Sequence, residues 1–343
     1  MNILSIESSC DETSCAVVKD GVEILAHTIA SSKDFHEKTG GVVPEVAARK
    51  QLESIVPVIE QTLIKFYGGA AKKKGEGVDA IAVTVGPGLI GSLIVGIEAA
   101  KVLAFAWKKP LIPVNHLLGH IYANFIQDKG KRNKEIEFPS VALLVSGGHT
   151  DLIFIRGHGD FEYIGGTLDD AAGEAFDKTA RLLGLSKYLG GVLLSKKAAE
   201  CTKNTISGVL PRPMINGNNF DFSFSGLKTA VKRLVENNNY PVEVVSCEFE
   251  NAVCDVLVEK TIRAVKKYGA KSLLLGGGVA ANTQLRARLE KEANNLNVSF
   301  FVPPIELCTD NAVYIAGAAY FNFSPKKIEE VSADPSLGIM DKA

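Results

Sequence analysis

Ser140-Val141-Ala142-Leu143-Leu144-Val145-Ser146-Gly147-Gly148-His149-Thr150 decides the fold: an apolar strand runs unbroken into a polar, glycine-rich turn. Leu152-Ile153-Phe154-Ile155 resumes the pairing after the turn, and Phe161-Glu162-Tyr163-Ile164 follows as a third strand. The same order occupies the start of the chain. Ile3–Glu7 and Ala16–Val18 bracket the polar turn Ser8 to Ser14, and Gly21 to Ala26 supplies the third strand. Strands alternating with longer helical patterns predict an α/β fold, and the recurrence predicts an approximate duplication of one α/β domain. Two such lobes are expected to leave a central cleft, where ligands of open α/β sheets collect at the carboxyl ends of strands. Further buried strands are read at Asp79–Gly86 and Lys271–Leu275. The second feeds Gly276-Gly277-Gly278 and a helix over Val279–Ala293.

A length of 343 residues has room for two such domains, and 46% hydrophobic residues supply their cores. The first residues, Met1 to Glu7, begin as a strand with no basic-then-apolar signal segment. Gly91–Trp107 is the most apolar long stretch, but Glu98 and Lys101 interrupt it, so it reads as a buried helix and no membrane span is expected. Six cysteines show no CxxC spacing and no disulfide framework, which predicts reduced thiols in a cytoplasmic protein. A net charge of −1 gives no global attraction for nucleic acid. Lys72–Lys74 and Lys129–Lys134 are local basic runs; solvated loop tips are their first reading, and the second run is read as the crossing between lobes.

Pro113-Val114-Asn115-His116-Leu117-Leu118-Gly119-His120 carries the most chemistry. Residues i and i+4 of a helix share a face, so two imidazoles can close on one metal ion. Asn115 reads as the N-cap, and the helix dipole there is expected to keep the rings neutral, as ligands must be. Two polar residues on a half-exposed helix is the competing reading. A zinc protease of the H-E-x-x-H kind is excluded, because Leu117 stands where the general base is required. Asp310, in Cys308-Thr309-Asp310-Asn311, reads alone as a helix cap. Set beside His116 and His120, it would complete a two-His, one-carboxylate set suited to Fe(II) or Zn(II) with open positions.

Three glycine-rich turns follow strands: Gly86-Pro87-Gly88, Ser146-Gly147-Gly148 and Gly276-Gly277-Gly278. Glycine after a strand lets backbone N–H groups approach a phosphate, which points to a nucleotide or acyl-phosphate ligand. No GxxxxGK[ST] and no GxGxxG occurs, so P-loop and dinucleotide folds are excluded. Asn282 is placed one turn inside the following helix, within reach of a base or sugar. Asp11 and Glu12 lie in the first polar turn, where a carboxylate could position a proton, metal or water. Asp177 is placed on a helix, seven residues after Asp170 and on its face, where it could hold ribose hydroxyls.

From end to end the chain resembles the tRNA N6-adenosine threonylcarbamoyltransferases of the bacterial TsaD type, once described as O-sialoglycoprotein endopeptidases. The matching motifs are Ile6-Glu7-Ser8-Ser9-Cys10-Asp11-Glu12-Thr13-Ser14, Gly40-Gly41-Val42-Val43-Pro44-Glu45, Gly86 to Leu93, Asn115 to His120, Leu144 to Thr150, Phe176 to Ala180, Phe222 to Thr229, Gly276 to Asn282, and Thr309-Asp310-Asn311. The resemblance implies an actin-like ATPase fold (sugar kinase, Hsp70, actin) of two RNase H-like lobes. The first is expected over 1–137, with the helix from about 310 packing back on it, and the second over 138–343 with a helical insertion at about 186–240. It implies transfer of a threonylcarbamoyl group from threonylcarbamoyl-AMP to the exocyclic amine of the adenosine 3′ of the anticodon, in tRNAs reading codons that begin with A.

Carried over, the resemblance makes His116, His120 and Asp310 ligands of one divalent metal, Fe2+ with Zn2+ as substitute. It makes Leu144, Val145, Ser146, Gly147, Gly148, Asp177, Gly190 and Asn282 the positions that hold the adenylate. Asp11 is the residue expected to position or deprotonate the attacking amine. The implied partners are tRNA, a smaller actin-fold paralogue (TsaB type) and a P-loop ATPase (TsaE type). Two departures from the family pattern stand out. Tyr188-Leu189-Gly190-Gly191-Val192 lacks the usual prolines, and Lys50 follows Ala48-Arg49 where a His is common. A small-molecule kinase of the same fold and a non-catalytic scaffold paralogue are the alternatives; the paired-His site argues against both.

Overall fold

A computed structural model describes residues 1–343 except 34, 37–39, 70–74, 128–134 and 238. The basic runs Lys72–Lys74 and Lys129–Lys134 fall outside the described residues. The chain divides into two compact units, one of residues 1–135 with 303–343 and one of residues 136–302.

The first unit begins with β1 (Asn2–Glu7), β2 (Glu12–Lys19) and β3 (Glu23–Ser31), followed by α1 (Pro44–Tyr67), β4 (Ala80–Gly86), α2 (Ile90–Trp107), β5 (Leu111–Asn115) and the short α3 (His116–Tyr122). Its sheet has the order β3-β2-β1-β4-β5. The first three strands are antiparallel, with Ile3 opposite Val18, and β4 and β5 add in parallel, with Ile3 beside Ala80. A strand buried on both faces has no use for polar alternation. Ala80 to Gly86 is accordingly apolar at every position but Thr84 and buried throughout. β5 contains Pro113, which an edge strand tolerates because one side needs no ladder hydrogen bond.

The second unit repeats this plan with β6 (Ser140–Val145), β7 (Thr150–Gly157) and β8 (Asp160–Gly166). Four helices follow, α4 (Ala172–Leu182), α5 (Gly191–Ala199), α6 (Ser225–Asn237) and α7 (Val242–Tyr268), then β9 (Ser272–Gly276), α8 (Thr283–Asn295) and β10 (Ser299–Phe301). The order β10-β9-β6-β7-β8 is that of the first sheet, with the same strand directions. The duplication expected from the sequence is therefore present in topology. The helix expected over Val279–Ala293 begins later: a 3-10 turn spans Gly278–Ala281, and Asn282 is the N-cap of α8, not a residue inside it.

From Pro303 the chain belongs to the first unit again, and α9 (Ala312–Phe321) packs on its sheet. Alternation along β1 explains how one strand serves two layers. Leu4 and Ile6 join the core beneath α1 and α2, while Ser5 donates its hydroxyl to the Ala312 carbonyl of α9 at 2.6 Å. α2 is apolar enough by length and composition to cross a membrane, and the sequence reading made it a buried helix. Only one side is: Leu93, Ile97, Ala100 and Ala104 face the core, while Ile90, Ile94, Val102 and Phe105 are exposed.

Candidate functional site

His116 and His120 lie on α3 directly after β5, and Asn115 caps that helix by accepting the Leu117 N–H at 2.9 Å. Both rings are buried, with centroids 4.6 Å apart and planes at 77°. Their Nε2 atoms each lie 3.5 Å from Oδ1 of Asp310, which enters just before α9. That spacing is long for a hydrogen bond, but ligand bonds of about 2.1 Å at tetrahedral angles place donor atoms about 3.4 Å apart. Two imidazole nitrogens and a carboxylate oxygen within 4.8 Å of one another form a group fit to hold a metal ion.

The sequence reading missed two residues that shape this group. Glu7, wholly buried at the end of β1, lies with Oε2 3.0 Å from His116 Nδ1. The same carboxylate accepts from Thr84 Oγ1 at 2.5 Å and from the Ser9 N–H at 2.6 Å. With a metal bound, a proton on Nδ1 shared with Glu7 would leave the Nε2 lone pair for the ion, the arrangement that orients metal-ligating imidazoles. Burial pulls the His116 imidazolium down, but Glu7 and Asp310 outweigh it and raise the pKa to about 9. The helix dipole was expected to keep both rings neutral; His120, whose pKa burial lowers, agrees with that, and His116 beside Glu7 does not. A seven-residue helix carries too weak a dipole to compete with a carboxylate at 3.0 Å. Asp310 is itself held well below the usual carboxylate range, because the two imidazoles overcome its burial.

Tyr314, one turn after Asp310, is the second missed residue: its ring packs against His120 at 4.9 Å and its hydroxyl lies 3.5 Å from Asp310 Oδ1. The tyrosine reaches this position because α3 has glycine at 119. A Cβ there would lie 2.6 Å from the Tyr314 ring and 2.8 Å from Ile315. Gly119→Ala is therefore expected to lower stability by about 1–3 kcal/mol through overpacking. Denaturant unfolding with and without added zinc measures it; a variant as stable as wild type in both would show that the two helices have slack.

Asp11 and Glu12 stand beside the same carboxylate, and one oxygen from each of Asp11, Glu12 and Asp310 lies within 4.8 Å of the others. Both are nearly wholly buried, and Glu12 pairs with Lys33. Burial, then Asp11 and Asp310, push the Glu12 carboxyl up to about 9. Asp11 Oδ2 is buried with no hydrogen-bond partner.

In the second unit, Ser146, Gly147 and Gly148 form the turn between β6 and β7. The turn is fixed by Ser146 N–H to the His149 carbonyl at 2.8 Å and by His149 N–H to Ser146 Oγ at 3.1 Å. Both glycines are exposed, and a Cβ on either would meet nothing within 4 Å. Among the described residues their N–H groups take part in no hydrogen bond, so two donors are unpaired. Leu144 and Val145 are fully buried in β6 and carry the turn without presenting side chains to a ligand. Gly173, at the start of α4, packs against this turn and donates to the Ser146 carbonyl at 3.2 Å.

Asp177 on α4 accepts the Gly191 N–H at 2.8 Å and so ties down the turn at Gly190, the N-cap of α5. One turn along α5, Ser195 meets Asn282, whose amide nitrogen donates to Ser195 Oγ at 3.0 Å and to Glu250 at 2.6 Å. Asn282 Oδ1 accepts the Leu285 N–H at 2.8 Å. The amide expected to reach a base or sugar is thus engaged within the protein. The other two glycine turns differ from Ser146–Gly148. A Cβ on Gly86 would sit 1.8 Å from the Asp334 carbonyl, one on Gly88 2.5 Å from the Ser9 carbonyl, and one on Gly277 2.3 Å from the Val145 carbonyl. Those three glycines serve close backbone packing, whereas Gly278 faces open space.

A family model described as TsaD, tRNA N6-adenosine threonylcarbamoyltransferase, matches residues 23–317. A relative of that name from Thermomicrobium roseum is 50% identical over 94% of this chain and 92% of its own length. One from Bacillus subtilis is 48% identical over 94% and 91%. Among solved structures, component A of the (R)-2-hydroxyglutaryl-CoA dehydratase of Acidaminococcus fermentans aligns with a TM-score of 0.53 at 17% identity, over 94% of this chain and 98% of that one. HypF of T. kodakarensis aligns with a TM-score of 0.62 at 14% identity, over 93% of this chain and 47% of that one. At such identities these two show the fold alone, the actin-like ATPase fold.

Proposed function

The chain belongs to the tRNA N6-adenosine threonylcarbamoyltransferase family, and on that premise we propose how its residues share the transfer reaction. The chain is a transferase that forms threonylcarbamoyladenosine in tRNA. The donor is threonylcarbamoyl-AMP and the acceptor is the exocyclic amine of the adenosine 3′ of the anticodon, in tRNAs reading codons that begin with A. The amine attacks the carbamoyl carbon, the bond from that carbon to the phosphate oxygen breaks, AMP leaves, and the amine gives up a proton. Such an activated anhydride needs orientation and charge stabilisation more than a covalent nucleophile.

His116, His120 and Asp310 would hold one divalent metal, iron with zinc as substitute, and Glu7 would orient His116 toward it. When bound, the metal supplies Lewis acidity toward donor oxygens. Gly147 and Gly148 offer their free N–H groups to the phosphate of the adenylate. Asp177 holds the Gly190–Gly191 turn in place, and Asn282, through Ser195, holds α5 beside it; both contribute by shaping the site. Asp11, buried beside Asp310, positions the attacking amine and receives its proton. The observation that carries this reading is the convergence of both imidazole Nε2 atoms on Asp310.

A net charge of −1 supports the further reading that tRNA is bound with help. α2 leaves an apolar side exposed, with Phe105 79% exposed, and α1, which packs against α2, exposes Leu52, Val56 and Ile64. That face suits a protein partner, and we assign it to the smaller actin-fold paralogue of TsaB type; the TsaE-type P-loop ATPase completes the assembly in the cytoplasm. Reconstitution tests the reading. Threonylcarbamoyladenosine should form with repeated turnover only when the partners are present, and the chain alone should bind tRNA weakly at ~0.15 M salt. Full turnover and tight tRNA binding by the isolated chain would overturn the partner requirement, and phosphate transfer to a small molecule would overturn the reaction.

A further inference from the structure

We propose that Asp11, Glu12 and Asp310 hold a second divalent cation, distinct from the one assigned to His116 and His120 and sharing Asp310 with it. One oxygen from each of these three carboxylates lies within 4.8 Å of the others, which is compact enough for one ion to touch all three. Asp11 is only 7% exposed, and its Oδ2 is buried without any hydrogen-bond partner. Leaving a buried carboxylate oxygen unsatisfied is costly, and a cation removes that cost.

Charge counting within the first unit leads the same way. Among the described residues, Glu7, Asp11, Glu12 and Asp310 are four carboxylates around one spot, and Lys33 is the cationic side chain paired among them. With all four carboxylates ionised, as ligation of a metal by Glu12 requires, one dication at the imidazoles leaves this group negative, which is a poor setting for an anionic acyl-phosphate donor. A second dication makes it positive.

The donor sets also differ in kind. Imidazole nitrogens select iron or zinc, whereas three carboxylate oxygens suit a hard ion such as Mg2+ or Mn2+ that keeps water or substrate in its open positions. Lys33 is the competitor for this site. Its ammonium lies on Glu12, but the side chain is 38% exposed and can swing into solvent when an ion arrives. Asp11 then acts on the attacking amine through the oxygen that the ion leaves free.

The inference rests on the imidazole site only through the shared Asp310, and the two can be separated. Zinc is loaded first and counted by elemental analysis; it outcompetes manganese for imidazole. Mn2+ is then titrated into the zinc-loaded full chain and followed by electron paramagnetic resonance. Wild type should bind about one Mn2+ per chain beyond its zinc. Asp11→Asn and Glu12→Gln should each weaken that binding by about tenfold or more while the zinc count stays at wild-type level. Lys33→Met should tighten it several-fold, an effect that a merely structural lysine would not produce. Wild type that takes up no Mn2+ once zinc is bound would overturn the proposal, whatever the variants do. So would Asp11→Asn and Glu12→Gln proteins that bind Mn2+ as wild type does. Failure of the imidazole site would appear instead as absence of zinc.

Discussion

Purified His116→Ala protein should carry less than about a tenth of the metal found in wild type, the largest effect anticipated for a single side chain in the first unit. The substitution removes one nitrogen donor and leaves Asp310 with a single imidazole. It also strands Glu7, which is fully buried and would keep only Thr84 and the Ser9 N–H as partners. Glu7→Gln should be milder. Its amide keeps the shape but loses the charge that orients His116, and losses of 10–100-fold in metal affinity are typical for such supporting residues. Elemental analysis with circular dichroism as a fold control decides the matter. Equal metal in wild type and in a folded His116→Ala protein would remove these residues from the metal site.

Gly147→Val should fold normally and bind adenylate at least about 100-fold more weakly, because two hydrogen bonds to a charged phosphate at ~1.5 kcal/mol each are at stake. Normal folding is expected from the open space around the position, where an added Cβ meets nothing within 4 Å. The weaker binding has the same origin, since the branched side chain would occupy the approach to the two free N–H groups. Gly277→Val is the instructive contrast: φ there is 89° and the new Cβ would overlap the Val145 carbonyl, so the protein itself should be destabilised. Calorimetry with AMP or a non-hydrolysable adenylate analogue measures the first effect. Unchanged affinity in a folded Gly147→Val protein would refute the phosphate cradle.

The duplicated fold was legible because strands buried on both faces are written as apolar runs, Val141 to Val145 being the clearest. Two strands were not. β5 carries Pro113, which argues against a strand until its edge position is known, and β10 is three residues long. The His116–His120 pairing follows from helical spacing; Asp310 was set beside it as the carboxylate that completes the set, and the family pattern points to the same residue. Glu7 was hidden for a different reason. A glutamate closing an apolar strand gives no sign of its partner, and the pairing with His116 spans 109 positions of chain. Tyr314 was within reach, four residues from Asp310 on a readable helix. Asn282 was misplaced because its glycine-rich prelude reads as helix start, whereas a 3-10 turn comes first and the asparagine caps α8 after it.

The return of the chain from Pro303 into the first unit sets an order of assembly on the ribosome. Residues 136–302 are contiguous and contain every strand of the second sheet, so that unit can close as soon as its last strand has emerged. The first unit, although begun earlier, must wait for Ala312–Phe321 to cover β1 and for Asp310 to reach the two imidazoles. A chain interrupted at Val302 has both histidines and no carboxylate between them. On the proposed assignment, ion capture would wait for completion of the polypeptide, and an unfinished product of translation would lack the third ligand.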